Sequence, residues 1–111
     1  MNAVLTKKEL NYSGSIGIDK AILLKSDMIP GERVQVLNFN NGKRFETYII
    51  EEKERSGIIA LYGPAARLGE TGDRMCVISY AMMSDEEAKT AEQKIVLVDQ
   101  KNRPLDASGH T

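Results

Sequence analysis

The feature that most limits the possible folds is a series of short, strand-like runs separated by residues that favour turns. Residues 33–37 alternate polar and apolar side chains, and residues 44–50 have the composition of a return strand. Between them, residues 40–43 read Asn-Asn-Gly-Lys, a strong hairpin signal because Asn and Gly tolerate the positive φ of a tight turn. Similar runs recur along the chain, so we predict a mainly β fold, a small barrel or sandwich.

Other segments extend this pattern. The further runs predicted to be extended are 2–5, 16–18, 57–62, 75–80 and 94–99. Two short helices are predicted between strands. Asp19 is placed to cap a helix over residues 20–26. Ser84 and Glu87 have the form of a capping box at the start of a polar helix that reaches about Gln93.

Size and charge exclude several classes of protein. A chain of 111 residues with 41% hydrophobic residues fits one domain, which we expect over residues 1–104, followed by a polar tail, 105–111. A formal net charge of −1 gives no positive surface for nucleic acid or an anionic membrane. No apolar run approaches the roughly 20 residues of a membrane span, and no signal peptide is visible at the start. Together with the single cysteine, Cys76, expected to be a buried thiol, this favours the cytoplasm.

The sequence contains none of the usual catalytic motifs. The only histidine, His110, lies next to the C-terminus, which makes a Ser-His-Asp relay improbable. Gly14 and Gly17 lack the spacing of a dinucleotide fingerprint. Residues 85–87, all acidic, suit the first turn of a helix better than acid–base chemistry. No metal site is expected.

One short stretch still needs an explanation, the Gly14-Ser15 pair inside LNYSGSIGID. Taken alone, it is an ordinary turn between two apolar runs. Four segments in this order and spacing, however, resemble the pyruvoyl-dependent aspartate 1-decarboxylase family: LNYSGSI (10–16), NGKRFETY (41–48), GPAAR (63–67) and SDEEA (84–88). The resemblance extends from about Val4 to Pro104. It implies a double-psi β-barrel assembled as a homotetramer.

The resemblance gives Gly14-Ser15 a chemical role. In this family the serine hydroxyl attacks the preceding carbonyl, the amide becomes an ester, and elimination leaves a dehydroalanine that hydrolyses to a pyruvoyl group. Carried to this chain, cleavage at Gly14-Ser15 would leave one fragment ending at Gly14 and another beginning with a pyruvoyl group at position 15. Glycine at 14 suits the attack because it has no Cβ to obstruct it. Serine supplies both nucleophile and leaving group.

The implied activity is decarboxylation of L-aspartate to β-alanine and CO2, which supplies pantothenate biosynthesis. The pyruvoyl ketone would form an imine, a Schiff base, with the substrate amine and accept electrons as CO2 leaves, so no metal or external coenzyme is expected. Arg44 resembles the arginine that binds a substrate carboxylate, and its planar guanidinium suits that task. Tyr48 resembles the proton donor that acts after decarboxylation.

The remaining implied site residues are Thr47, Gly63, Pro64 and Ala65. The last three match a backbone segment that lines the substrate pocket. Thr47 matches a threonine near the processing bond and substrate. Even spacing along a strand puts Arg44 and Tyr48 on one face, while Thr47 points to the other unless a bulge intervenes.

Two departures from the family pattern keep alternatives open. Tyr62 stands where the family usually has an asparagine, and it is expected to alter self-processing, substrate fit or both. The family also usually begins with about ten further residues, including a lysine that helps to hold the substrate, and Lys7 and Lys8 are not in register to replace it. The alternatives are a pyruvoyl decarboxylase of another amino acid and a barrel that does not process itself. A maturation helper is a possible partner.

Overall fold

The computed structural model describes residues 3–9 and 14–105, apart from the side chains of Lys7 and Glu9. Strands dominate this part of the chain: β1 Ala3–Val4, β2 Lys7–Glu9, β3 Ser15–Asp19, β4 Arg33–Asn38, β5 Arg44–Glu52, β6 Ile59–Tyr62 and β7 Arg74–Ser79. The helices are α1 Lys20–Ser26, α2 Asp85–Thr90 and a 3-10 helix over Gly63–Leu68. The predicted mainly β fold with short helices is confirmed.

The strands form a nearly closed barrel. Their order in the sheet is β1-β7-β4-β5-β3-β6-β2, so the two strands at its ends are consecutive in the chain. Only Leu5 and Thr6 separate them. The Leu5 N–H donates to the Asp73 carbonyl on the β7 side at 2.9 Å, and the Thr6 N–H donates to the Ile59 carbonyl of β6 at 2.7 Å. Residues 3–9 therefore act as one strand that joins the two edges of the sheet, so the barrel has six strands.

Parallel and antiparallel pairs are mixed in this barrel. β3 runs parallel to β5 and β2 runs parallel to β6, whereas the other neighbours are antiparallel. The arrangement is consistent with the double-psi barrel that the resemblance implied. Inside it, the apolar residues of alternating strand positions form one core: Leu5, Ile16, Ile18, Val34, Val36, Ile49, Ile59, Leu61, Met75 and Val77.

Local sequence signals determine the predicted caps and turn. The Asp19 carboxylate accepts from the Ala21 N–H at 2.8 Å, and α1 begins and ends as predicted, at Lys20–Ser26. The β4–β5 hairpin turns at Gly42, whose φ is 73°. Ser84 and Glu87 form the predicted capping box, but α2 ends at Thr90, before Gln93.

Two further predictions fail, and one strand was not predicted. Residues 94–99 form no strand; only an isolated bridge joins Val98 to Pro104. Because residues 3–9 already join both edges of the sheet, no edge remains for a further strand. β2 was not predicted, since its Lys-Lys-Glu sequence has no strand-like pattern. Cys76 is half-buried, not buried. Within the described residues, no helix is long and apolar enough to cross a membrane.

Candidate active site

The Gly14–Ser15 bond lies where the chain enters the barrel. Gly14 is exposed at a bend, whereas Ser15 is the first residue of β3 and only 4% of its surface is exposed. Ser15 pairs with Tyr62 of β6, and this is the last pair of the ladder between the two strands. The bond that the resemblance marks for cleavage therefore joins an exposed residue to a buried one.

The register of β3 against β5 brings two further predicted residues to this point. Ile16 lies beside Ile49 in the parallel ladder. Continuing that register backwards places Ser15 level with Tyr48 and Gly14 level with Thr47. Residues at one level of adjacent strands share a face of the sheet. Tyr48 and Ser15 are therefore neighbours on the outer face of the barrel.

Alternation along β5 separates the remaining predicted side chains as expected. Arg44 is exposed and Tyr48 is 55% exposed, whereas Thr47 is 7% exposed and faces inward. The pairing of β5 with β4 runs without interruption from Arg44 to Tyr48, so no bulge turns Thr47 outward. Arg44 lies at the far end of this face, opposite Leu37.

The pocket segment predicted from the resemblance lies against Gly14. Gly63, Pro64 and Ala65 open the 3-10 helix that directly follows β6. Gly63 has a φ of 63°, which other residues adopt at a cost, and this turn directs Pro64 back toward β3. A Cβ built on Gly14 would lie 3.6 Å from Pro64 Cδ, so the two residues are close to van der Waals contact.

Sequence reasoning missed two residues on this outer face, Gly17 and Glu52. The Tyr62 hydroxyl donates a hydrogen bond to Glu52 Oε2 at 2.5 Å. Gly17 lies beneath the Glu52 carboxylate, because a Cβ added there would be 2.0 Å from Oε2. Even spacing from Tyr48 along β5 was the only signal that could have placed Glu52 on this face.

The remaining sequence candidates lie outside the described residues or away from Ser15. His110 lies outside the described residues, as do residues 10–13, immediately before Gly14. Within residues 3–9 and 14–105, no three His, Cys, Asp or Glu side chains are grouped so that they could hold a metal ion. The acidic residues 85–87 form the exposed first turn of α2, as predicted.

Known proteins of one family match nearly the whole chain. Residues 1–105 match the family described as aspartate decarboxylase. The chain is 51% identical to aspartate 1-decarboxylase of Thermoanaerobacter pseudethanolicus over 94% of its own length and 89% of the relative's. It is 55% identical to the enzyme of that name from Listeria monocytogenes, over 90% of this chain and 79% of the relative. The Kosmotoga olearia aspartate 1-decarboxylase is 53% identical over 94% and 89%. A barrel with Gly14-Ser15 at the head of a buried strand, matched along nearly its whole length by these relatives, belongs to the aspartate decarboxylase family.

Proposed function

We propose that this chain catalyses the decarboxylation of L-aspartate to β-alanine and CO2, the activity of an aspartate 1-decarboxylase. The observation that carries the proposal is the match to relatives of that name over at least 90% of this chain, at 51–55% identity. In support of it, the register of β3 against β5, extended by one residue, sets Tyr48 level with Ser15. The Gly63–Ala65 segment directly follows Tyr62, the residue that pairs with Ser15. The product would supply pantothenate biosynthesis.

The family is pyruvoyl-dependent, and we propose Ser15 as the residue from which the group forms. Position 15 fits a carbonyl group at a new chain end because the side chain is buried while Gly14, the residue to be released, is exposed. The pyruvoyl ketone would supply an electron sink for the loss of CO2. No metal or external coenzyme is part of this proposal.

Self-cleavage uses only the chain and water. Ser15 Oγ attacks the Gly14 carbonyl carbon, the C–N bond breaks, and the proton of the hydroxyl passes to the freed amine, which leaves an ester. Loss of the Ser15 α-proton then expels the Gly14 carboxylate and leaves a dehydroalanine. Its imine tautomer adds water and releases ammonia, which leaves the ketone at position 15.

The outward-facing side chains suit the handling of substrate. The Arg44 guanidinium would bind a carboxylate of aspartate through two parallel hydrogen bonds. The Tyr48 hydroxyl, one strand away from Ser15, would deliver a proton to the substrate carbon that has lost CO2. The Gly63–Ala65 segment would shape the wall around the substrate, and Thr47, which faces inward level with Gly14, would lie behind the processing bond.

Assembly and cellular context are proposed on the same basis. Arg44 and Tyr48 lie on an open face of the single chain, which is consistent with a site completed by a neighbouring copy in a homotetramer. A maturation factor is a possible second partner. The cytoplasm is the expected compartment, as proposed from the sequence.

The direct test is an assay of the purified chain with L-aspartate, in which β-alanine and CO2 are quantified together. We expect both products in equal amounts. A parallel panel of other amino acids separates this function from its alternatives. Release of CO2 from another amino acid and not from aspartate would favour a divergent decarboxylase. No release from any of them, with the chain intact, would favour a barrel without catalytic activity.

A further inference from the structure

A hydrogen bond between two side chains crosses the outside of β3 beside the processing bond. Tyr62 lies on β6 and Glu52 on β5, and these strands flank β3 on opposite sides. Tyr62 pairs with Ser15, whereas Glu52 pairs with Asp19, so the two side chains lean toward each other diagonally. Their oxygens meet at 2.5 Å above Gly17. We call this contact the Tyr62–Glu52 bridge.

The bridge depends on the absence of a side chain at position 17. The three heavy atoms nearest to a Cβ at Gly17 would be Oε2, Cδ and Cγ of Glu52, at 2.0, 2.8 and 2.9 Å. The Glu52 side chain therefore fills the space that an alanine methyl group would need. Gly17 has no positive φ that would itself require glycine, so close approach of the carboxylate is the reason for glycine here.

The bridge restrains the strand end that faces the processing bond. Ser15 and Tyr62 form the last pair of the ladder between β3 and β6, and on its other side Tyr62 pairs with the last residue of β2. The turn at Gly63 follows at once and brings Pro64 against Gly14. Tyr62 is only 8% exposed, so its ring is packed as well as hydrogen-bonded. A bond to a charged acceptor is among the stronger side-chain hydrogen bonds, which suits a restraint of this kind.

We propose that Glu52 is a positioning residue for self-cleavage, which acts by holding Tyr62 and the turn after it against the Gly14–Ser15 bond. This inference rests on the proposed function. Attack of Ser15 Oγ on the Gly14 carbonyl needs the two atoms at about 3–3.5 Å, and a misplacement of about 1 Å can cost about a hundredfold in rate. Tyr62 stands where the family usually has an asparagine. Its hydroxyl can bond to Glu52 because Gly17 has no side chain between the two residues.

The test measures the rate at which full-length chain, made by cell-free synthesis, splits into two fragments, followed by denaturing mass spectrometry. Glu52→Ala and Tyr62→Phe each remove one side of the bridge. Gly17→Ala displaces the carboxylate without changing either partner. Each is expected to slow cleavage at least about tenfold, the effect of losing one charge-assisted hydrogen bond. Far-UV circular dichroism and thermal unfolding establish that each variant is folded.

Two further variants separate the bridge from general structural damage. Glu52→Gln keeps an oxygen that accepts from Tyr62, so its rate should stay within about threefold of the wild-type rate. Gly17→Ala added to Glu52→Ala should cause no further slowing, since the group it displaces is already gone. Glu51→Ala, a change to the adjacent exposed glutamate, is the matched control and should split at the wild-type rate.

The possible failures can be told apart. If the wild-type chain splits at Gly14–Ser15 and both Glu52→Ala and Gly17→Ala split at the wild-type rate, the inference is overturned and the proposed function stands. Glu52→Gln as slow as Glu52→Ala, or additive losses in the double variant, would also overturn it. A wild-type chain that never splits would overturn the proposed function and, with it, this role for Glu52.

Discussion

Ser15 of β3 pairs with Tyr62 of β6 at the last position of their antiparallel ladder. One residue further back along the chain, Gly14 lies outside the sheet and close to the turn that follows Tyr62. The proposed processing bond is therefore held on one side by a complete β-ladder and on the other by the Gly63–Pro64 turn. The proposed self-cleavage depends on this position of the Gly14–Ser15 bond, at the end of the sheet.

Replacement of Arg44 by lysine should weaken substrate binding and leave self-cleavage intact. Lysine keeps the charge but loses the paired donors that match a carboxylate, so we expect KM for L-aspartate to rise about tenfold or more. The split of the chain should proceed at the wild-type rate, because Arg44 begins β5, four residues before Tyr48, which is the residue level with Ser15. Arg74→Lys, at another exposed arginine, is the control; an unchanged KM in Arg44→Lys would remove Arg44 from the substrate site.

Tyr48→Phe should separate turnover from processing. Loss of the hydroxyl removes the proposed proton donor, so we expect kcat to fall about a hundredfold while the chain still splits. Tyr80→Phe is the matched control, since Tyr80 is also exposed and its hydroxyl donates to Gln35 at 2.9 Å. Steady-state kinetics on fully processed protein measures kcat for both variants. Normal turnover in Tyr48→Phe would assign the proton to another group.

Asp19→Ala should destabilise the barrel more than loss of the other helix cap. The buried Asp19 carboxylate accepts from the backbone N–H groups of Ala21, Arg55 and Gly57 at 2.8, 2.9 and 2.7 Å. Leaving three donors without this acceptor should lower the free energy of unfolding by about 3 kcal/mol or more. Ser84→Ala should cost about 1 kcal/mol or less, because α2 buries none of its residues.

Urea unfolding in the Ser15→Ala background compares these two variants without interference from cleavage. Equal losses in both would show that Asp19 acts only as a helix cap. The expected difference reflects a second task, since Asp19 also fixes the loop between β5 and β6.

Asp73 should make part of the stability of the barrel sensitive to acid. A hydrogen bond from the Asn38 side chain, followed by one from the Glu70 N–H, lowers the pKa of Asp73 below its ordinary 3.8. A carboxyl whose pKa is lower in the folded state stabilises fully above its unfolded pKa, and this contribution is lost as pH falls through the folded pKa. We therefore expect the contribution of Asp73 to the stability of the fold to be lost below about pH 4.

Asp73→Asn tests this dependence, because it keeps an oxygen acceptor and removes the titrating charge. Its melting temperature should fall less than that of the wild type between pH 5 and pH 3. Identical falls would show that Asp73 contributes nothing to acid sensitivity. Asp85→Asn, on the exposed α2, serves as the control.

Local features of the fold could be read from the sequence, whereas pairings between distant segments could not. The Asp19 and Ser84 caps and the Gly42 hairpin depend on residues within a few positions, and all three are confirmed. Closure of the barrel by residues 3–9 involves partners near residues 59 and 73, which no periodicity reveals. The same closure explains why the apolar run 94–99 finds no strand partner.

The candidate site shows the same division. Arg44 and Tyr48 could be placed on one face by even spacing, and Gly14-Ser15 by the resemblance of whole segments. Tyr62 was visible as a departure from the family, but its bond to Glu52 was not. That contact joins β5 to β6 across β3, and it needs both the register of the sheet and the missing side chain at Gly17.

The most direct measurement is the intact mass of the purified chain under denaturing conditions, before and after treatment with a hydrazine. Conversion of Ser15 predicts two fragments, residues 1–14 and 15–111, the second of which carries a ketone at its new end and gains the mass of one hydrazone. Ser15→Ala should remain whole, whereas Ser13→Ala should split. Only full-length wild-type chain, unreactive toward hydrazine, would contradict the account.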